Sequence, residues 1–231
     1  MAAFASGSEM DPRPRAAVSW SGGKDSLAAL AAVRDRFDVA AALTMFDETG
    51  SRSRSHGLRP AIVAQQAERL GLRLVTACCS WTTYDAGFTA ALRTLAADGI
   101  THVVFGDLLF PEHRDWAEQR CAEAGLTAVE PLWGLPTSEL FDAFVNSGAT
   151  ALMVTVRQPW LDASWLGRPL SAGMKSFFVE RGIDPCGERG EYHTAVIDSP
   201  LFSRPIAVTA GERVKRGDCF ALDLVPDADG V

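Results

Sequence analysis

Six consecutive residues, Ser21-Gly22-Gly23-Lys24-Asp25-Ser26, put two hydroxyls, two adjacent glycines, an ammonium and a carboxylate into one short stretch. Glycines allow a tight turn that exposes backbone N–H groups, and a helix beginning at such a turn adds the positive end of its dipole. Lys24 adds a mobile positive charge, and Ser21 and Ser26 add hydroxyl donors. The guest suited to that set is a phosphate. A Walker A loop is excluded, because the glycines are adjacent and Asp25, not Ser or Thr, follows the lysine. The dinucleotide fingerprint also fails, since no third glycine follows Gly23 at its interval. The plain alternative is a glycine turn that only joins two elements.

The flanking residues supply those elements. Ala16 to Trp20 is a short apolar run suited to a buried parallel strand, and Leu27, Leu30 and Val33 recur at helical spacing. Strand and helix signals then alternate, with strands expected at Asp38–Phe46, Arg73–Cys79, His102–Phe105 and Thr127–Leu132. Helices are expected at Pro60–Leu70, Tyr84–Ala97 and Glu112–Ala124. The alternation predicts an α/β fold, a doubly wound, Rossmann-like parallel sheet of five strands. Ligands of such sheets sit beyond the carboxyl ends of the strands, where the strand order reverses. With the order 3-2-1-4-5, Gly106-Asp107 at the end of the fourth strand faces the phosphate loop. The end of the second strand, Thr44 to Asp47 with Met45 and Phe46, then flanks the nucleoside side.

Behind Gly134 the rhythm changes. A helix over Thr137–Asn146, a strand at Ala151–Val156 and a helix over Ser171–Arg181 precede strands at Tyr192–Ile197, Ile206–Thr209 and Cys219–Leu224. Residues 1–15 read as a disordered tail, 16–134 as the nucleotide domain, and 135–231 as a smaller mixed α/β domain. In the second half, Glu188, Glu191 and His193 crowd the glycine-rich turn 187–193. Such a cluster can bind an amine, shuttle protons, or be a polar hairpin loop. Metal ligation is disfavoured, as no second His or Cys stands at a ligand interval.

Composition narrows the classes further. The chain has 231 residues, 47% of them hydrophobic, enough for a full core. Its net charge of −7 argues against general binding to nucleic acid or a membrane surface. Arg52, Arg54 and Arg59 form the one dense basic stretch and read as a solvated loop face. No run approaches the about 18 apolar residues of a membrane span, and no apolar leader opens the chain. Five cysteines without any C-x-x-C pair fit a reduced, cytoplasmic protein.

Taken together, the motifs resemble the diphthine–ammonia ligase family of ATP pyrophosphatases (PP-loop proteins of the HUP type), and especially its bacterial-type members. The matching pieces are S-G-G-K-D-S at 21–26, H-G-L-R at 56–59, F-G-D at 105–107 and E-H-R-D-W at 112–116. They continue with P-L-W-G at 131–134, L-D-A-S-W-L-G-R at 161–168 and C-G-E-R-G-E-Y-H-T at 186–194. Arg189 stands where the family usually has Asn, and Ser199 where Gly is common before Pro. The resemblance implies amidation of a carboxylate at the expense of ATP, with AMP and pyrophosphate released and ammonium as nitrogen source. It implies nucleotide contacts from Ser19, Ser21, Gly22, Gly23, Lys24, Asp25, Ser26, Met45, Phe46 and Gly106. Mg²⁺ would be held by phosphates with Asp25 and Asp107, and Lys24, Asp107, Glu188, Glu191 and His193 would carry the chemistry. The acceptor would be a carboxylate-bearing small molecule or a modified protein residue, with no nucleic-acid or membrane partner; a homo-oligomer is compatible with the sequence. Two rivals remain at this level. One is a sulfur transferase of the same loop class using Cys186, and the other is a nucleotide sensor without turnover.

Overall fold

Ala16, Ala17 and Val18 are completely buried, as a strand covered on both faces requires. In the computed structural model, which describes residues 13–227, they lie in β1 (Arg15–Ser19) at the centre of a five-stranded sheet. Residues 1–12 of the expected tail lie outside the described residues, and Arg15 already belongs to the strand. The sheet continues with β2 (Asp38–Phe46), β3 (Arg73–Cys78), β4 (His102–Val104) and β5 (Thr127–Val129), all parallel, in the order β3-β2-β1-β4-β5. Helices α1 (Lys24–Val33), α2 (Pro60–Leu70), α3 (Tyr84–Ala97) and α4 (Pro111–Glu123) connect the strands. Successive residues of β1 feed different cores. Ala16 and Val18 pack with Leu27, Leu30 and Ile62, while Ala17 packs with Phe88, Leu92 and Val103. This is the doubly wound α/β arrangement that the alternation predicts.

The second half contributes α5 (Thr137–Asn146), β6 (Thr150–Arg157), α6 (Met174–Glu180), β7 (Tyr192–Asp198), β8 (Val208–Arg216) and β9 (Cys219–Pro226). Its four strands form an antiparallel sheet in the order β7-β6-β9-β8. The apolar core does not stop between the halves. Val18, Leu27 and Ile62 belong to the same cluster as Phe141, Met153, Phe178 and Val196. No helix among the described residues is long and apolar enough to cross a membrane.

Several boundaries differ from expectation for identifiable reasons. β5 ends at Val129 rather than Leu132, where Pro131 has no N–H for a ladder. α6 begins at Met174 rather than Ser171, behind Gly173, a poor helix former. β8 runs to Arg216, far beyond the expected Thr209, because its exposed sequence TAGERVKR lacks the apolar alternation that marks a strand. The Arg52–Arg59 stretch is not merely solvated. Arg52 and Arg59 both donate to the Asp223 carboxylate, at 2.6 and 2.5 Å, and so tie the β2–α2 loop to β9.

The join at the phosphate loop is made by one buried amide. The Gln66 side chain on α2 is completely buried; its Oε1 accepts from Trp20 Nε1 at 2.9 Å. Its Nε2 donates to the carbonyls of Gly22 and Val196, at 2.9 and 2.8 Å. Gln66→Leu keeps the bulk, orphans the buried indole N–H and removes both donations. Unfolding free energy should fall by about 2–4 kcal/mol. Urea denaturation measures this, and a change below about 0.5 kcal/mol would refute the role given to Gln66.

Candidate active site

The glycine turn owes its shape to close packing from three sides. Gly22 has φ +81°, and a Cβ there would lie 2.6 Å from Gln66 Oε1 and from Leu58 Cδ1, so only glycine fits. A Cβ on Gly106, after β4, would lie 2.9 Å from the Asp25 carbonyl carbon. β4 therefore ends directly against the first turn of α1, and Asp107 is delivered to the phosphate loop. The helix starts at Gly23 without any side-chain cap. The donors of the loop are instead partnered internally. Ser21 Oγ donates to Ser26 Oγ at 3.2 Å, Gly23 N donates to Ser21 Oγ at 3.3 Å, and Lys24 N donates to Thr194 Oγ1 at 3.1 Å.

In front of this turn lies a cleft of about 610 Å³, within the range of pockets that enclose small molecules. Ser19, Ser21, Lys24, Asp25, Ser26, Gly106, Asp107, Glu188 and His193 all line it. The predicted site residues from both halves thus converge, apart from five. Gly22 and Gly23 form the bend of the loop and back onto Gln66, Leu58 and His56. Met45 and Phe46 are buried in the two cores, and their carbonyls already accept from Arg54 N and Cys79 N. The far wall is instead aromatic: Trp81, Tyr84, Phe88, Phe105 and Trp116 face the cleft.

Glu191 is the fifth. It is completely buried, its Oε1 accepts from Asp184 N at 3.0 Å, and its Oε2 accepts from Arg189 N at 2.9 Å. It therefore shapes the 184–191 turn from behind, and Glu188 alone of the pair is aimed at the cleft. Spacing could not separate two carboxylates three residues apart in a loop.

The electrostatics divide the titratable groups. Lys24 Nζ donates to Asp25 Oδ2 at 2.7 Å and to the Cys186 carbonyl, and lies 5.3 Å from the centre of the Tyr192 ring. Burial alone would lower its pKa, but Asp25 above all outweighs burial and holds it above the usual lysine value. Burial, reinforced by Asp25, pushes the Glu188 carboxyl up to about 8. Burial likewise raises Asp107, with partial relief from His113 at 3.4 Å. The imidazoles go the other way. His193 stacks on His56, ring centres 4.7 Å apart, and His56 Nδ1 meets the Thr194 carbonyl at 2.7 Å. Burial lowers His56 to about 4 and His193 to about 3, so both are neutral at pH 7. Of the expected proton acceptors, His193 or one of the two carboxylates, the imidazole held so low is a poor one. His56 was visible beforehand only as the first residue of the H-G-L-R match.

Cys186 is buried, its Sγ donates to the Thr137 carbonyl at 3.3 Å, and burial pushes its pKa up to about 12. A thiol kept protonated is ill suited to carrying sulfur, which weighs against the transferase rival.

A parallel sheet whose order reverses between β1 and β4, with a glycine loop and a helix start at that point, defines a Rossmann-like nucleotide-binding fold. Comparison with known families narrows this. Residues 14–128 match the diphthamide synthase N-terminal domain, and residues 136–223 match the diphthamide synthase C-terminal domain. The chain belongs to the diphthamide synthase family. Among curated relatives, a diphthine–ammonia ligase of Schizosaccharomyces pombe is 32% identical over 113 residues, 48% of this chain and 19% of that protein. Those of Bos taurus and Homo sapiens are 32% and 31% identical over 122 residues, 50% of this chain and 45% of theirs. The matched part thus spans less than half of each relative. A solved chain titled "predicted subunit of tRNA methyltransferase" from Methanocaldococcus jannaschii is 14% identical, covers 80% of this chain and 98% of its own, and superposes with a TM-score of 0.43.

The two acidic residues of the turn should respond oppositely to neutralisation. Glu191→Gln turns one acceptor into a donor against a backbone N–H and should cost about 1–3 kcal/mol of stability. Glu188→Gln should change stability by less than about 0.5 kcal/mol. Urea denaturation of both variants checks this, and the reverse order would contradict the assignment.

Proposed function

We propose that this protein is an ATP-dependent, AMP-forming ammonia ligase acting on a carboxylate acceptor. The observation that carries the reading is that the 21–26 loop with Lys24 and the Glu188 turn face each other across one cleft, in a chain of the diphthamide synthase family. The acceptor is a carboxylate on a small molecule or on a modified protein residue.

The chemistry follows from what an amide needs. A carboxylate oxygen attacks the α-phosphorus of ATP, the bond to the bridging oxygen breaks, and pyrophosphate leaves with that electron pair. Ammonia then adds to the acyl carbon, and the carbon–oxygen bond to AMP breaks. The loop hydroxyls and Lys24 hold the departing pyrophosphate, a task of position and charge. Lys24 must exchange the Cys186 carbonyl for phosphate oxygen to do so. Glu188, ionised, attracts ammonium and takes the proton that frees its lone pair; a second proton passes from the nitrogen to solvent as the amide forms. Glu191 holds the turn that carries Glu188. Among the described residues no three His, Cys, Asp or Glu side chains converge on a metal position. A magnesium ion would therefore come with the nucleotide, taking Asp25 and Asp107 as its protein ligands. It would neutralise phosphate charge.

Product analysis tests the reading. With ammonium and a panel of carboxylates, ATP should yield AMP and pyrophosphate; formation of ADP and phosphate would overturn it. Lys24→Met keeps the buried stem and should lower AMP formation about 10²–10³-fold, with circular dichroism unchanged. Near-normal turnover in that variant would remove Lys24 from the mechanism.

The pH dependence follows from Glu188. Its carboxyl is held protonated up to about 8, so the basic form accumulates as pH rises through that value. At constant ammonium concentration, the rate of amide formation should climb through about pH 8. Glu188→Gln should flatten that limb and lower kcat/KM for ammonium about 10²–10⁴-fold. An unchanged limb in the variant would assign the base elsewhere.

A further inference from the structure

Beside the nucleotide cleft lies a second cavity, of about 380 Å³, between the β2–α2 loop and the C-terminal sheet. The two meet at Ser55, His56, Trp81 and His193, which line both. Their charges are opposite. The cleft carries Asp25, Asp107 and Glu112, with Glu188 held largely protonated near pH 7, against Lys24. The second cavity carries three guanidiniums, Arg52, Arg54 and Arg216, against Asp47 and Asp223.

Its carboxylates are already engaged. Asp47 accepts from Thr49 Oγ1 at 2.8 Å and Ser51 N at 2.9 Å, and Asp223 is shared between Arg52 and Arg59. One carboxylate facing two guanidiniums leaves a positive charge over, which Asp47, ionised among neutral donors, offsets. Arg54 is paired with Glu48 at 2.6 Å and lies 4.9 Å from the Trp81 ring centre. Arg216, in the exposed β8–β9 hairpin, adds a further charge at the rim. Guanidiniums with N–H groups to spare recognise planar anionic oxygen groups by paired hydrogen bonds.

We infer that this second cavity binds an anionic oxygen group of the acceptor, a second carboxylate or a phosphate, with Arg52 and Arg216 as its charge anchors. The acceptor then lies across the stacked imidazoles, its anchored end in the basic cavity and its reacting carboxylate in the acidic cleft. The anchored charge of the acceptor is thereby kept out of the compartment that draws ammonium, and only its reacting carboxylate enters it. The neutral imidazoles between them compete for neither. The acceptor's place in the reaction rests on the ligase reading; the anion site does not.

Calorimetric titration without nucleotide tests it, using succinate and 3-phosphonopropionate as probes and acetate as the single-charge control. The wild-type chain should bind at least one of the two probes more tightly than acetate; the tighter one names the group. Arg216→Glu and Val214→Glu each place a negative charge on the exposed β8 side of the cavity. Each should weaken that probe about tenfold or more while AMP affinity stays within about twofold. Failure of both probes to bind the folded wild type, or equal binding by both variants, would overturn the inference. Probe binding lost in the variants, with no AMP formed from any carboxylate, would leave the anion site standing and the ligase reading refuted.

Discussion

The carbonyl of Gly22 accepts two hydrogen bonds, from Gln66 Nε2 at 2.9 Å and from Val196 N at 2.9 Å. Both lone pairs are thereby used, and the glycine is held at a φ that other residues resist. Because Val196 belongs to β7, the antiparallel sheet is fastened to the phosphate loop itself and not merely packed nearby. Thr194, two residues earlier, takes the Lys24 amide, and the turn before β7 takes the Lys24 ammonium. Everything the cleft does depends on this seam. It sets the distance across which a phosphate on the loop would face Glu188, and it explains why one apolar core runs through both halves.

The cleft then separates its acids from its bases by environment. Glu188 and His193 line one wall, yet burial drives the carboxyl up to about 8 and the imidazole down to about 3. Burial disfavours whichever form is charged, so the same desolvation acts on the two groups in opposite senses. The consequence is an inversion of habit, with a carboxylate poised near neutrality and a histidine fixed as a neutral spacer. Lys24 keeps its charge despite burial, because Asp25 adjoins it. Trp81, Tyr84 and Trp116 line the opposite side with apolar rings.

Much of this was legible in the sequence, and the remainder failed for physical reasons. The strand–turn–helix around Gly22 and the β–α alternation are local patterns, so the parallel sheet and its switch point could be read directly. Asp107 followed from topology alone. Glu188 and Glu191 could not be told apart, since the difference lies in which carboxylate meets the N–H groups of Asp184 and Arg189. Met45 and Phe46 sit at the right strand end, but their side chains serve the cores, a distinction that strand position does not encode. His56 and the aromatic wall come from loops and helix starts whose approach to the cleft is set by tertiary packing. β8 escaped because a solvent-facing strand rich in charges carries no alternation.

The central claim is that the two halves form a single site through the seam at Gly22 and Lys24. Hydrogen–deuterium exchange with and without ATP tests it most directly. If nucleotide on the 21–26 loop draws Lys24 from the Cys186 carbonyl, amide protection should change over residues 184–196 as well as over the loop. Protection changes confined to the parallel-sheet half, with 184–196 indifferent to ATP, would contradict the account.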